Sequence, residues 1–160
     1  MSSQQLPIPE KENAVLAVVE GCQVGSATPP TREMIQRLEG MLKTLPQLEI
    51  QTNHYFAGGM YAREIVIPAG TLLTGKVHKA EHLNIVSKGE IIVWTEDGMR
   101  QIKAPFVLPS LAGAKRVGLA LVDTVWVTLH VTKKTDLAEI EAEFIEDDAA
   151  PALEGQKWLG

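Results

Sequence analysis

The chain is short of cysteine and of positive charge, and it has no long apolar run. Each shortage removes a class of protein. Its one cysteine, Cys22, cannot close a disulfide within the chain, which excludes a disulfide-held fold and fits a reducing compartment. Fifteen Lys and Arg against twenty Asp and Glu give a formal charge of −5. No basic stripe is left to displace phosphate counterions, and the short Lys115-Arg116 pair does not supply one, which argues against a nucleic-acid partner. No apolar run approaches the length of a membrane span, which argues against a membrane partner. The start, "MSSQQLPIPEKENA", lacks the basic stretch and apolar core of a signal peptide. The expected location is a cytosol, for the chain alone or for an assembly formed there. There is also no Ser/His/Asp elbow and no phosphate-binding glycine loop.

What is present suits one domain. A chain of 160 residues can bury roughly two-thirds of its unfolded surface, enough to fold without a disulfide or a structural metal. The polar first dozen residues read as an arm, "AVLAVV" (14–19) as a short apolar run of either type, and "GSATPP" as loop. Thr31 is placed to cap a helix running to about Leu45, stopped by Pro46. Its apolar stripe would be Met34, Leu38, Met41, Leu42 and Leu45.

From Tyr61 to Val131 the texture is of strands: "YAREIVIP", "TLLTGKVHK", "LNIVS", "EIIVWTEDG", "RQIKAPFVLP", "KRVGLALVD" and "TVWVTLHV". A turn every eight to twelve residues predicts a β-sandwich or barrel, not βαβ units. Thr135 or Asp136 then caps a second helix through about Glu146, with Leu137, Ile140, Phe144 and Ile145 apolar. The tail "DDAAPALEGQKWLG" ends on Trp158-Leu159, which needs a pocket. The two helix stripes and this tail predict a homo-oligomer built through the arms.

Period-2 alternation divides each strand into an aliphatic and a mixed face. Leu73 and Val77 oppose Leu72, Thr74, Lys76 and His78; Leu83 and Ile85 oppose His82, Asn84 and Val86. Val117, Leu119 and Leu121 oppose Arg116, Gly118 and Ala120; Val125, Val127 and Leu129 oppose Thr124, Trp126, Thr128 and His130. A turn at Lys79-Ala80-Glu81 would make His78 and His82 cross-strand neighbours, with Cβ atoms about 5 Å apart. Two imidazoles so placed can converge on one ion. Parity leaves two arrangements open. Either the aliphatic faces form the core and the mixed faces meet water, or the mixed faces line a cavity. Gly118 and Ala120, small beside Arg116, favour the second.

The stretch "PAGTLLTGKVHKAEHLNIVSKGEI" resembles the first cupin motif, a glycine, then His-x-His, a Glu and a further glycine; "LPSLAGAKRVG" resembles the second. Counted from Gly89, the motif's glutamate falls on His82, its second histidine on His78 and its first on Lys76; counted from Gly113, its third histidine falls on Arg116. Segment 54–130, with "TDLAEIE" just beyond it, also resembles small phage-encoded cupins, in "HYFAGGMYAREIVIPAGTLLTGKVHK", "TEDGMRQIKAP" and "DTVWVTLH".

The resemblance implies a mainly β protein, a cupin double-stranded β-helix (jelly roll) with an N-terminal and a C-terminal helix. The expected divisions are an arm and helix at 1–49, the jelly roll at 50–132 and a helix and tail at 133–160. As function it implies a phage accessory or virion-associated scaffold, oligomeric and ligand-holding, without the usual iron chemistry. Its partners would be its own copies and other virion proteins. The alternative is a cupin enzyme of the sugar isomerase or epimerase type.

The candidate metal ligands are His78, His82 and His130, for Zn, Ni, Mn or Fe, with Glu81 able to complete the set. The same three histidines and Glu81 are the acid–base candidates. Lys76, Asn84, Arg116 and Trp126 are the candidates for holding a small anionic ligand. Two cations beside a divalent ion repel it, so metal retention is expected to be sub-stoichiometric. The alternative for Lys76 and Arg116 is an ion pair with Glu64, Glu81 or Asp123.

Overall fold

A computed structural model of the chain describes residues 30–95 and 98–147. The N-terminal arm, the "AVLAVV" run, Cys22 and the Trp158-Leu159 tail lie outside the described residues. Helix α1 spans Arg32–Lys43. Nine strands follow among the described residues: β1 Gln51–Ala57, β2 Met60–Ile67, β3 Leu72–Thr74, β4 His82–Lys88, β5 Glu90–Thr95, β6 Gly98–Lys103, β7 Phe106–Ser110, β8 Val117–Ala120 and β9 Thr124–Val131. Helix α2 spans Leu137–Phe144. No helix among the described residues is long and apolar enough to cross a membrane.

The strands form two antiparallel sheets. The first has the order β1-β2-β9-β4-β7 and the second β3-β8-β5-β6. Successive strands pass back and forth between them, and the facing surfaces enclose one apolar core that includes Ile65, Leu73, Val86, Ile91 and Trp126. This is the jelly roll that the motifs imply. Gly89 makes one of its corners possible. It turns β4 into β5 at φ 86°, and a Cβ there would lie 2.3 Å from the Asp123 carbonyl oxygen.

Four sequence expectations change. Strand β1 was not foreseen, because "QTNHYFA" is a sheet edge with little apolar alternation and is largely exposed. The segment "RQIKAPFVLP" is two strands; Pro105 carries no N–H for a ladder, and the chain bends there from β6 in one sheet to β7 in the other. The third change concerns the α1 stripe, which is rotated: Ile35 and Leu38 are buried, while Met34, Met41 and Leu45 stay exposed on its flank. Finally, there is no hairpin between His78 and His82. Strand β3 pairs with β8 in one sheet, while β4 pairs with β7 and β9 in the other.

The two helices close different surfaces. Thr31 caps α1 by accepting the Met34 N–H at 3.3 Å. Ile35, Leu38 and Leu42 pack on the outer face of the four-stranded sheet, on Leu72, Ile92, Trp94, Val117 and Leu119. Glu39 of α1 fastens the contact by accepting from Thr74 Oγ1 at 2.8 Å and Lys115 Nζ at 2.6 Å. Asp136 caps α2 through the Glu139 N–H, and Ile140 and Phe144 pack on Tyr61 at one end of the barrel.

The Lys115 side chain is only 3 % exposed, and its ammonium pairs with Glu39. Glu39→Ala is expected to destabilise the fold by about 3 kcal/mol, by removing a carboxylate to which a buried ammonium donates. Thr74→Ala should cost about 1 kcal/mol. Urea unfolding at fixed ionic strength measures both, and a smaller loss for Glu39→Ala than for Thr74→Ala would mean that Lys115 reaches water.

Candidate functional site

On β4, β8 and β9 the mixed faces point into the barrel, whereas on β3 Leu73 points in and Leu72 and Thr74 point out; the ladder registers of the five-stranded sheet stack the inward residues in layers. The layer of Ile65, Trp126, Val86 and Phe106 is apolar. The next holds Arg63, Thr128, Asn84 and Leu108. The last holds Tyr61 opposite His130 and His82 opposite Ser110. Polarity therefore rises along the inner face of four adjacent strands, from an apolar end to a mouth rich in histidine. Gly118 leaves no ligand space here, contrary to the expectation from its size. A Cβ at that position would meet Ile91 Cδ1 at 3.0 Å, so the room is already filled by the core.

Asn84 organises the middle layer. It is 2 % exposed, and its Oδ1 accepts from Trp126 Nε1 at 3.0 Å and Thr128 Oγ1 at 2.9 Å. Its Nδ2 donates to Ser110 Oγ at 2.5 Å. Trp126 is likewise buried and spends its N–H on Asn84. Both residues serve the barrel interior, with Trp126 in the core cluster.

At the mouth, His78, His82 and His130 come together. Their rings stack with centroids 4.1 Å apart for His78–His82 and 5.0 Å for each pair with His130. One ligand-capable nitrogen from each lies within 4.8 Å of the others. An ion with bonds of about 2.1 Å and tetrahedral angles needs nitrogens about 3.4 Å apart, so the imidazoles would have to close on it by ring rotation. His78 Nδ1 is buried without a hydrogen-bond partner among the described residues, as a nitrogen kept for a ligand would be.

The chain brings these residues in from different directions. His82 opens β4 and His130 nearly closes β9, while His78 lies in the crossing between the sheets. That crossing is held by the end of α2: Lys79 N–H donates to the Phe144 carbonyl at 2.7 Å, and Glu146 N–H to the Val77 carbonyl at 2.9 Å. Phe144 stacks on His130 at 4.1 Å.

Burial makes all three imidazoles resist protonation. His78 is pushed down to about 2, first by desolvation and then by His82, His130, Arg63 and Arg116. His130 is pushed down to about 4, again chiefly by desolvation, with His82 adding and Glu143 opposing. His82 is lowered by desolvation, against the Ala80 carbonyl that its Nδ1 faces at 3.1 Å. The cluster is neutral at pH 7, the form that binds a metal.

A cavity of about 740 Å³ opens beside the cluster, between residues 47–52, the inner faces of β2 and β9, and α2. Arg63, Lys76, His78, His130, Glu141 and Phe144 line it. A smaller space of about 60 Å³ continues inward past His82, Asn84 and Arg116.

Lys76 pairs with a carboxylate other than those expected for it. Lys76 pairs with Glu141 on α2, and Arg116 donates to Ser110 Oγ. Glu64 accepts from Asn53 and Tyr55, and Asp123 accepts the Ala69 N–H. Glu81 is exposed in the turn before β4 and is not one of the clustered ligands. His54 lies on β1, apart from the cluster, with its Nδ1 2.8 Å from the Tyr61 hydroxyl. Thr74 turns outward to Glu39, away from the mouth.

Arg63, Tyr61, Glu141 and Phe144 are site residues that the sequence reading missed. Arg63 was within reach of parity, since Tyr61, Arg63, Ile65 and Ile67 share one face of "YAREIVI". The α2 residues carry no such signal.

No family profile matches the chain, and no curated protein does. Solved structures are similar to it in fold. KdgF from Halomonas sp. is 15 % identical over 56 % of this chain and 87 % of its own, with a TM-score of 0.47. A cupin superfamily protein from Desulfitobacterium hafniense DCB-2 is 9 % identical over 56 % of this chain and 83 % of its own, at 0.46. An acetylacetone dioxygenase from Acinetobacter johnsonii is 17 % identical over 51 % of this chain and 59 % of its own, at 0.44. These are likenesses of fold.

The depressed histidines set a pH dependence. An unfolded chain binds protons below about pH 6.5 that the folded His78 and His130 refuse, so their contribution is fully present above 6.5 and is lost as pH falls. With chelator present, stability should drop between pH 6.5 and 5 by up to about 1.4 kcal/mol per pH unit for each of the two. His78→Gln should flatten that slope. A wild type equally stable at pH 7.5 and 5.5 would mean that the imidazoles reach solvent.

Proposed function

We propose that the barrel mouth is a metal-assisted binding site for a small anionic molecule in a cupin-type protein. One observation carries this reading: three neutral imidazoles present nitrogens within 4.8 Å of one another at the side of a 740 Å³ cavity. That volume lies within the range of small-molecule pockets. His78, His82 and His130 would hold a divalent ion, Zn, Ni, Mn or Fe, and the ion would act as a Lewis acid toward a bound oxygen. Arg63 and Lys76 line the same cavity, and Arg116 lies just inside it. Guanidinium forks and an ammonium suit a carboxylate or phosphate. The Lys76–Glu141 pair offsets one of the charges that would repel the ion.

The depressed pKa values favour ligand over base. A proton competes weakly for such a nitrogen, which helps a metal, but a weakly basic imidazole abstracts protons poorly at pH 7. In the alternative enzyme of the sugar isomerase or epimerase type, His82 is therefore the best-placed base, since it is the most exposed of the three. A second reading keeps the protein as an oligomeric phage accessory or virion component. It draws support from the apolar outer face of the five-stranded sheet. Mass spectrometry of purified particles tests it, because a scaffold must be present in stoichiometric amount.

Chelator-stripped protein should take up one Ni or Zn per chain with a rise in melting temperature, and His78→Ala/His82→Ala should remove both effects. As purified, it should hold less than one ion, because the surrounding cations weaken binding. Arg116→Gln should tighten metal binding by about 3- to 10-fold, the size of a screened charge contribution of about 1 kcal/mol. No uptake by the wild type would end the metal reading.

Phosphate, sulfate or citrate should also stabilise the wild type, by about 2.7 kcal/mol at a hundredfold excess over the dissociation constant. Arg116→Ala should abolish this shift. Arg100→Ala should not, because Arg100 sits over Phe106, 5.5 Å from its ring, outside the mouth.

A further inference from the structure

The cavity of about 740 Å³ has walls of two kinds. Arg63 lines its inner end, in the layer of Thr128 and Asn84 below the histidines. Lys76 lines it from the crossing that carries His78. On the other side Leu48, Ile50, Leu137, Ile140, Phe144 and Ile145 form an apolar wall. This wall runs from Ile140 and Phe144, 4 % and 8 % exposed, to Leu137 and Leu48, 44 % and 51 % exposed, so apolar side chains continue out to the rim. Four neutral polar side chains of the lining are already engaged within the chain. Thr128 donates to Asn84, Thr52 to the Ile50 carbonyl, and the Gln47 amide to the carbonyls of Leu42 and Leu45. The Tyr61 hydroxyl is bonded to His54.

We infer that the ligand is an amphipathic carboxylic acid, with its carboxylate at Arg63 and Lys76 and its aliphatic or aromatic body along α2 and residues 48–50. This rests on the reading of the mouth as an anion site and narrows it. The cavity has the volume of a pocket for an organic molecule, far more than an inorganic anion fills, and an apolar wall with a few charged groups is the usual lining of such a pocket. Its charge is mild, because Glu49 and Glu141 line it together with the two cations. A monoanion therefore meets less repulsion there than a phosphate dianion. The Arg63 guanidinium is desolvated, which strengthens its attraction for a carboxylate. A sugar fits the walls less well. Its hydroxyls would face leucine, isoleucine and phenylalanine, and each one buried without a partner costs binding. The lining thus sets the site against the isomerase or epimerase alternative.

The test is titration calorimetry of the full chain with butyrate, hexanoate and octanoate. Glucuronate serves as a sugar acid, and octylamine as the same tail with the opposite charge. Affinity should rise with length, by about fourfold for each methylene fully buried. Glucuronate and octylamine should bind about tenfold or more weakly than octanoate. Arg63→Gln should weaken all three acids about tenfold or more, the worth of a charge-assisted pair. Lys76→Gln gives the same reading should Arg63→Gln fail to fold by far-UV circular dichroism. Leu48→Ser/Leu137→Ser, at two exposed positions, should keep butyrate binding and flatten the gain from butyrate to octanoate. A flat series in the wild type, or glucuronate as tight as octanoate, overturns this inference and leaves the anion site standing. A gain unaltered by the leucine substitutions, or octylamine as tight as octanoate, also overturns it, because the tail then binds elsewhere or without the charge. If neither these acids nor phosphate, sulfate or citrate binds, the anion site itself is lost and this inference with it.

Discussion

A buried amide cannot be left half-bonded, and Asn84 carries that constraint for the whole barrel. Its side chain ties β4 to β9 through Trp126 and Thr128, and to β7 through Ser110. In the apolar interior each of these bonds is costly to leave unmade, so the network penalises any slip of the three strands past one another. A slip of one residue would turn every side chain to the other face. With Asn84 opposite Thr128, His82 and His130 each lie two residues further along the same inner face. The candidate site thus inherits its geometry from a structural network one layer below it.

The polar mouth and the apolar interior are two ends of the same strands. Along β2 the inward side chains run Ile67, Ile65, Arg63, Tyr61, and along β9 they run Trp126, Thr128, His130. The apolar end supplies the stability on which the other end draws, because desolvating three imidazoles and several cations opposes folding. Helix α2 limits that cost. It covers the mouth with Ile140 and Phe144, brings Glu141 to Lys76, and fixes the His78 segment by backbone bonds.

The same arrangement explains why the exterior carries so much aliphatic surface. A jelly-roll strand has two faces, and here the interior of the five-stranded sheet takes the mixed one. Valines and leucines are then left outside, where a helix, another chain or water must meet them. On the four-stranded sheet a helix does so, anchored by Glu39 between Thr74 and Lys115.

The sequence by itself determined the fold class, most of the strands and the cap of the first helix, and narrowed that of the second to Thr135 or Asp136. Those features are written in neighbouring residues: β-branched alternation, glycine and proline at turns, and Thr31 and Asp136 before their helices. It also identified the three histidines of the candidate site and divided each strand into two faces. It could not determine which face points inward, because alternation is symmetric and both faces carried apolar residues. Tertiary structure decided that through the Asn84 network, which joins residues up to 44 positions apart. It also decided the partner of Lys76, since Glu141 comes from α2, 65 residues further along the chain, and the closing of the mouth by Phe144, which folds back onto His130. His78 and His82 meet for the same reason. The expected hairpin is absent, and the chain instead crosses from one sheet to the other between them, so their rings stack through the topology of the whole barrel and not through a local turn.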